Sequence, residues 1–267
     1  MLRLIRKSIF VLKNYGPKVF ILKSIKFPIN RFINRFNLLK QNLVNKKAYK
    51  NKEKVIQLLK SFNSNNTEEI FNFAWNFYGG LIRPIQIKEE FVELLKIFQE
   101  QNPKYVMEIG TAGGDTLFCF CKLARNDATI ISIDLPEGPF GGGYPEWKIL
   151  IYQAFKKENQ KLYLLREDSH KQETLEKVKQ ILGNNQLDFL FIDGDHSYEG
   201  VKKDFEMYSP LVKKRGIIAF HDIAKHPIDS ECFVDVFWKE IKNNFKNREI
   251  IKNPKQNWAG IGVLFFK

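Results

Sequence analysis

The sequence predicts a doubly wound α/β domain built on a mostly parallel sheet. Short apolar runs alternate with segments of helical periodicity beyond Pro103, and this alternation is typical of parallel strands whose two faces are covered by helices. A glycine-rich turn follows the first apolar run. The predicted strands occupy residues 105–109, 129–133, 162–165, 187–192, 217–220 and 261–266.

Helical patterns lie between these runs and upstream of them. Apolar residues recur at three- and four-residue steps from residue 88 to about residue 101, which predicts an amphipathic helix. Thr67 is expected to cap a further helix that runs to about Phe77. The helices predicted between strands occupy residues 114–125, 146–158, 171–182 and 199–214.

The composition is that of a folded protein with an uneven distribution of charge. Of the 267 residues, 44% are hydrophobic and 27% are charged, which excludes an intrinsically disordered chain. Residues 1–60 hold 16 of the 43 basic residues and one acid, Glu53, whereas the rest of the chain has 27 basic and 29 acidic residues. We therefore predict a basic amphipathic helical arm over residues 1–62, a connecting helix and turn over 63–85, and a catalytic domain over 86–267.

The basic arm has three interpretations. Its helices could lie on an anionic membrane surface, dock onto a partner, or pack on the catalytic domain with a solvated basic face. No apolar stretch reaches the length of a membrane span, and the first residues do not resemble a signal peptide. The three cysteines form neither a CxxC pair nor a zinc spacing. We expect a cytoplasmic protein, located at the inner membrane face if the arm binds lipid, and homo-oligomer formation stays open.

The turn after the first predicted strand contains Gly110, Gly113 and Gly114. Glycines let a backbone turn sharply and approach a ligand closely. Their spacing is not the GxGxxG of dinucleotide-binding proteins, and Glu108 would repel a pyrophosphate. A cationic ligand therefore fits better, with a plain strand-to-helix turn as the alternative.

Acids follow the second and third predicted strands at positions that suit a nucleoside. A carboxylate at Asp134 can accept both hydroxyls of a ribose, a device that NAD-binding proteins share. Asp134 could also be an ordinary strand-end residue. Asp168 with Ser169, after the third strand, is placed either to accept from an adenine amino group or to cap the next helix.

The fourth and fifth predicted strands end in acids and histidines. Asp193, Asp195 and His196 follow the fourth strand, and His221 and Asp222 follow the fifth. Unpaired charges at the end of a buried strand are costly unless they have partners or a function. If the two strands are neighbours, four of these side chains converge on one cleft: Asp193, His196, His221 and Asp222.

Together these motifs resemble those of the class I S-adenosylmethionine-dependent methyltransferases, in particular the subgroup of macrocin O-methyltransferases and cephalosporin-hydroxylase-like proteins. The similarity extends over residues 80–267. It implies a Rossmann-like, seven-stranded sheet behind an N-terminal basic helical extension, with S-adenosylmethionine as cofactor. The residues that it implies for the cofactor are Glu108, Gly110, Thr111, Gly114, Asp134, Asp168 and Ser169.

The resemblance also implies O-methylation of a hydroxyl on a glycan or another small molecule. In related sugar O-methyltransferases the acid that matches Asp193 ligates magnesium, and the histidine that matches His196 is the base. We therefore expect His196 to act as the base and Asp193 to steer it or stabilise its charge, with His221 and Asp222 completing the acceptor site. Those relatives have two adjacent acids where this chain has His221 and Asp222, and a histidine is a poor magnesium ligand. The metal set Asp193, His221 and Asp222 is thus open, with manganese as a softer alternative. His221 could instead form a hydrogen bond to the acceptor or assist as a base.

Other functions stay open beside this one. A nicotinamide-dependent oxidoreductase shares the sheet and the ribose carboxylate, and a noncatalytic scaffold of the same fold would act through its arm. A near-neutral catalytic portion without a base-flipping motif argues against nucleic acid as substrate. The glycine-rich loop over residues 135–147 is predicted to be a lid, an acceptor wall or a static surface loop.

Overall fold

The computed structural model describes residues 38–138, 142–227 and 230–266. The chain divides into two compact units, residues 1–50 and residues 51–267. In the first unit residues 38–50 form helix α1. The part of the predicted arm that covers residues 1–37 lies outside the described residues. Within the described ranges, none of the helices is both long enough and apolar enough to span a bilayer.

The second unit alternates helices and strands. Its helices are α2 (Lys52–Ser61), α3 (Thr67–Asn76), α4 (Lys88–Gln101), α5 (Asp115–Leu123), α6 (Lys148–Gln153), α7 (Gln172–Leu182), α8 (Tyr198–Tyr208) and α9 (Val234–Ile241). Its strands are β1 (Tyr105–Ile109), β2 (Thr129–Ile133), β3 (Lys161–Leu165), β4 (Leu187–Ile192), β5 (Val212–Phe220), β6 (Lys246–Ile250) and β7 (Ile261–Phe265). Single 3-10 turns follow α3, α8 and α9 directly, at Phe77–Gly79, Ser209–Leu211 and Lys242–Asn244.

The strands form one seven-stranded sheet in the order β3-β2-β1-β4-β5-β7-β6. Strands β1 to β5 run parallel to one another, whereas β7 is antiparallel to both β5 and β6. The strand order reverses between β1 and β4, and ligands of doubly wound folds bind beyond the carboxyl ends of the strands at such a point. The predicted doubly wound, mostly parallel, seven-stranded fold is confirmed.

Alternating residues of the central strand β4 bury apolar side chains on both faces of the sheet. On one face the Phe189 ring packs edge-on against Phe98 of α4, with centroids 4.8 Å apart, and also contacts Phe120 of α5. On the other face Leu190 and Ile192 belong to a buried cluster with side chains of α7, α8 and α9. Each such side chain contributes roughly 1.5–3 kcal/mol by leaving water. The packing holds the carboxyl ends of β1, β4 and β5 in register.

The sequence-based prediction missed β6 and α9, and it misplaced one cap. Four of the five residues of β6 are exposed, so this edge strand has no apolar run that could identify it. Helix α3 is capped by Asn66 and not by Thr67, because the Asn66 side chain accepts from the backbone N–H groups of Glu68 and Glu69 at 2.9 and 3.1 Å. Thr67 is instead the buried first residue of the helix.

The predicted helix over residues 199–214 ends at Tyr208. Pro210 lacks the N–H that a continuing helix needs, so the chain passes through a 3-10 turn. Val212 then begins β5, which is longer than predicted.

The boundary of the first unit also differs from the predicted arm, which ends at residue 62. Helix α2 lies in the larger unit, where Leu59 is fully buried and its carbonyl accepts from the Lys122 ammonium at 3.3 Å.

Candidate active site

A cavity of about 340 Å³ opens beyond the carboxyl ends of the parallel strands. Its lining comes from the turns that follow five consecutive strands, so residues that are far apart in the chain meet there. These residues are Gly110, Thr111 and Ala112 after β1, Asp134 after β2, Asp168, Ser169 and His170 after β3, Asp193, Asp195 and His196 after β4, and His221 and Asp222 after β5.

The turn after β1 packs directly on the end of β4. Gly110 has a φ of +98° and donates its N–H to the Ile133 carbonyl at 2.8 Å. A Cβ atom at this position would lie 2.0 Å from the carbonyl oxygen of Asp193, so the close approach requires glycine. The predicted cofactor turn and the predicted catalytic acid are therefore immediate neighbours.

Glu108 lies behind this turn and not on the cavity wall. Its carboxyl accepts hydrogen bonds from the Thr116 and Ser132 hydroxyls, both at 2.8 Å. Burial raises the pKa of Glu108 to about 8, although the two hydrogen bonds oppose that effect. Gly114 likewise lies off the wall, as the N-cap of α5. Direct cofactor contact by Glu108 and Gly114 stays a prediction; in the structure Glu108 joins β1, β2 and α5 beneath the turn.

Asp134 is buried at the end of β2 and faces the cavity. One carboxylate oxygen accepts from the Gly143 N–H at 2.8 Å, which helps to fix the side chain. Burial raises the pKa of Asp134 to about 6, while backbone hydrogen bonds from Gly143, Ala112 and Thr111 lower it. The loop that follows contributes Leu135 to the cavity wall, and its predicted function as a lid stays a prediction.

The turn after β3 is held by hydrogen bonds within itself and to α8. Asp168 accepts from the His170 N–H at 2.9 Å, and the Ser169 carbonyl accepts from the Tyr208 hydroxyl at 2.7 Å. The His170 ring lies 3.2 Å from the fully buried Asp204. This hydrogen bond raises the pKa of His170. His170 was not predicted from the sequence, because it follows the predicted adenine contacts without a motif of its own.

The four residues after β4 and β5 that were predicted to converge do meet. His196 Nδ1 lies 2.8 Å from Asp222 Oδ2, and His196 Nε2 lies 3.7 Å from Asp193 Oδ1. His221 Nδ1 lies 3.2 Å from Asp193 Oδ1 and 3.4 Å from Asp222 Oδ2. The parallel pairing of β4 with β5 aligns Ile192 with Phe220 and produces this convergence. We call these four residues the acid–histidine cluster.

Three further side chains adjoin the acid–histidine cluster and were not predicted. Gln86 donates from its side-chain amide to Asp193 Oδ2 at 3.2 Å, and His226 Nε2 lies 3.1 Å from Asp222 Oδ1. Cys232 is the third, with its thiol hydrogen-bonded to His196 and His226. None of them belongs to a recognisable sequence spacing, because each reaches the cluster only through the tertiary fold.

The charges of the acid–histidine cluster stabilise one another. Burial lowers the pKa of His196, but hydrogen bonds to Asp222 and Cys232 and the charge of Asp193 outweigh it, so that the pKa rises to about 10. Burial raises the pKa of Asp222. The charge of His221 and hydrogen bonds from three histidines outweigh burial and hold this pKa well below the usual range of an aspartate. The His196 imidazole is therefore protonated at neutral pH in the ligand-free protein.

The donor set Asp193, His221 and Asp222 does not fit magnesium. One donor atom from each lies within 4.8 Å of the others, so the three could surround one ion. Magnesium requires a nearly complete oxygen shell, whereas His221 supplies an imidazole nitrogen in place of one of those oxygens.

Comparisons with known proteins agree with the fold. Residues 107–223 match a family model described as a methyltransferase domain. The chain is 28% identical over 170 residues to the uncharacterized protein y4gI of Sinorhizobium fredii, a match that covers 62% of this chain and 17% of that protein. The chain thus spans about 17% of the length of this curated relative.

Solved structures with the same fold include two O-methyltransferases with bound cofactor or cofactor product. An O-methyltransferase from Bacillus cereus in complex with SAH has a TM-score of 0.50 at 16% identity, with 77% of this chain and 92% of that chain covered. The O-methyltransferase TomG from Streptomyces achromogenes, involved in tomaymycin synthesis and solved with SAM, has a TM-score of 0.50 at 12% identity, covering 78% and 92%. Residues 107–223 are thus similar to a methyltransferase domain, and the chain has the Rossmann-like fold of these two solved O-methyltransferases.

Proposed function

We propose that the protein transfers a methyl group from S-adenosylmethionine to a hydroxyl of a glycan or another small-molecule acceptor. The observation that carries the proposal is the composition of the single cavity described above. One wall holds the Gly110 turn, Asp134 and the Asp168 turn, which suit a nucleoside. The adjoining wall holds the acid–histidine cluster, which suits an acceptor hydroxyl.

The donor wall favours a sulfonium over a dinucleotide. Asp115 is buried at the first position of α5 and lines the cavity, at the helix end where a dinucleotide-binding fold holds its pyrophosphate. Burial and the nearby charge of Asp193 raise the pKa of Asp115 to about 7. A pyrophosphate would meet Asp115 and Asp193 together, whereas a positively charged sulfonium is attracted by them.

The reaction needs alignment and a proton acceptor. The acceptor oxygen forms a bond to the methyl carbon while the carbon–sulfur bond breaks and its electron pair returns to sulfur. Holding the two reactants in line supplies a large part of the rate enhancement. The hydroxyl proton passes to the acid–histidine cluster, with His196 as the proposed base. Because His196 is protonated at neutral pH, it must first lose that proton, and Asp193, 3.7 Å away, is the alternative acceptor.

The rim of the cavity supports a hydroxyl-rich ring as acceptor. Trp258 lines the cavity and is 44% exposed, and Ile85, which also lines it, is 72% exposed. An exposed indole face can pack against the apolar face of a sugar ring while carboxylates and imidazoles bind its hydroxyls. The resemblance to macrocin O-methyltransferases fits such a substrate.

Two measurements test the proposal. A ligand at 100 times its Kd stabilises the native state by about 2.7 kcal/mol, so S-adenosylhomocysteine should raise the Tm clearly while NAD and NADP leave it unchanged. Incubation with S-adenosylmethionine that carries a deuterated methyl group should then label a glycan fraction, detected by mass spectrometry. Stabilisation by NAD alone would replace the proposal with the oxidoreductase alternative.

A further inference from the structure

Cys232 stands apart from the other two cysteines of the chain. Cys119 and Cys121 are buried on α5 among apolar side chains. Cys232 precedes α9, and the N–H of the next residue, Phe233, donates to the His196 carbonyl at 2.8 Å. This backbone bond fixes the thiol beside the acid–histidine cluster.

The Cys232 thiol, a His196 ring nitrogen and an Asp222 carboxylate oxygen all lie within 4.8 Å of one another. Thiolate sulfur, imidazole nitrogen and carboxylate oxygen are the three ligand types of zinc, with bonds of about 2.0–2.3 Å. Bonds of that length separate tetrahedral ligand atoms by about 3.3–3.8 Å. Side-chain rotations that move the donor atoms by about 1 Å would therefore place all three at bonding distance from one ion. A thiolate selects against magnesium and calcium.

The backbone conformation and the hydrogen bonds of Asp222 fix the orientation of its carboxylate, as expected of a metal ligand. Its φ of +63° is unusual for a residue with a side chain, and strained backbone of this kind is concentrated at functional sites. Its Oδ1 accepts from the Ala259 N–H at 2.9 Å and lies 3.1 Å from His226 Nε2. Outer hydrogen bonds of this type orient metal ligands, and they leave Oδ2 directed toward His196.

We propose that His196, Asp222 and Cys232 bind a zinc-type divalent transition metal in the wall of the cavity. His196 and Asp222 line the cavity, and three protein ligands leave a fourth position, as in zinc sites that accept an exogenous ligand. A ligated His196 has no lone pair for a proton, so Asp193 is the proton acceptor in the metal-bound form, and His196 is the base only in the metal-free form. The inference concerns the metal alone and does not depend on methyl transfer.

Cobalt is the probe, because cobalt bound to a thiolate gives a near-ultraviolet charge-transfer band that oxygen and nitrogen ligands do not give. The full-length, reduced, chelator-treated protein is titrated with Co²⁺ and then with competing Zn²⁺. We expect the band to saturate at about one cobalt per chain and to disappear when zinc displaces the cobalt. Cys232→Ala should abolish the band. Cys121→Ala is the matched control, since it removes a buried thiol outside the cluster, and it should keep the band.

Two more variants keep the test decisive if Cys232→Ala does not fold. His196→Gln should weaken cobalt binding by about tenfold or more, and His221→Asn should leave the band in place. A wild-type protein without a thiolate band at saturating cobalt overturns the proposal. So does a metal that depends on His221 but not on Cys232, which would belong to the Asp193, His221 and Asp222 set. S-adenosylhomocysteine affinity, measured on the same samples, reports on the proposed function separately.

Discussion

Gly110 and Asp193 approach so closely that a Cβ atom at position 110 would lie 2.0 Å from the Asp193 carbonyl oxygen. This contact joins the turn proposed for the cofactor to the acid proposed for the acceptor. The two walls of the cavity therefore depend on one glycine, and a shift of either would change the distance between the reacting groups.

Gly110→Ala should destabilise the protein and weaken cofactor binding. The alanine has both a left-handed φ, which costs roughly 1–2 kcal/mol, and a clash that only backbone movement can relieve. Gly183→Ala is the matched control, because Gly183 also has a positive φ but no atom within 4 Å of its Cβ position. Thermal melting and calorimetry with S-adenosylhomocysteine should show a larger loss of both Tm and affinity for Gly110→Ala. Equal losses in the two variants would mean that the contact with Asp193 is unimportant.

Asp134→Asn should weaken S-adenosylmethionine binding by about tenfold or more, since charge-assisted hydrogen bonds contribute roughly 1.5–3 kcal/mol. The wild-type affinity should also depend on pH. The pKa of Asp134 is about 6, so the carboxylate is ionised above that pH and is progressively protonated below it, where affinity should fall. Calorimetry between pH 5 and pH 8 checks both effects. An Asn variant with wild-type affinity, or with the same pH dependence as the wild type, would remove Asp134 from the ribose site.

His196→Ala should lower turnover by roughly 10²–10⁴ while cofactor affinity stays unchanged, because a general base contributes in that range. The pKa of His196 is about 10 in the ligand-free protein. If His196 is the base, kcat/KM should therefore rise with pH up to that value, and this rise should vanish in the variant. Activity within about threefold of the wild type would contradict a catalytic role, and a larger loss in His221→Ala would transfer the role to His221.

Glu108→Gln should stabilise the protein at alkaline pH. The pKa of Glu108 is about 8 in the fold, against 4.5 for the unperturbed side chain, so the folded state holds the extra proton between these values. Stability consequently falls as pH rises through this window. Glutamine has no proton to lose, and the variant should match the wild type near pH 5 and melt higher at pH 8 to 9. Glu100→Gln, on an exposed acid, keeps Glu108 and should follow the wild-type Tm profile. A parallel Tm profile for wild type and Glu108→Gln would mean that the buried carboxyl is already ionised.

The basic arm is expected to bind anionic membrane surfaces, since each Lys or Arg near such a surface contributes about 1 kcal/mol. Deletion of residues 1–50, which ends at the boundary between the two units, should abolish co-sedimentation with anionic vesicles and preserve cofactor binding. Neutral vesicles are the control. Full-length protein that ignores anionic vesicles at low salt would exclude this role, and a truncated protein that aggregates would indicate that the arm is needed for folding or assembly.

The sequence by itself determined the fold class and was enough to select several residues of the candidate site. Apolar runs of strand length at regular intervals identify β1 to β5 and β7, because a sheet buried on both faces requires apolar side chains on both. A tight turn at positive φ requires glycine, and an acid directly after an apolar strand is visible in the sequence. Gly110, Asp134 and Asp193 could therefore be selected from the sequence. Edge strand β6 could not be predicted, because its mostly exposed residues do not need to be apolar and so form no hydrophobic pattern.

Only the tertiary structure decided which side chains act together. Glu108 is chemically suited to a ligand but lies behind the turn, where two hydroxyls occupy its oxygens. Cys232 and Gln86 have no motif, yet the fold places them against His196 and Asp193. The physical reason is that strand periodicity sets which face a residue occupies, whereas the contacts at a strand end depend on loops whose paths are set by packing elsewhere. Those contacts also set the charge state of His196, which no sequence position determines alone.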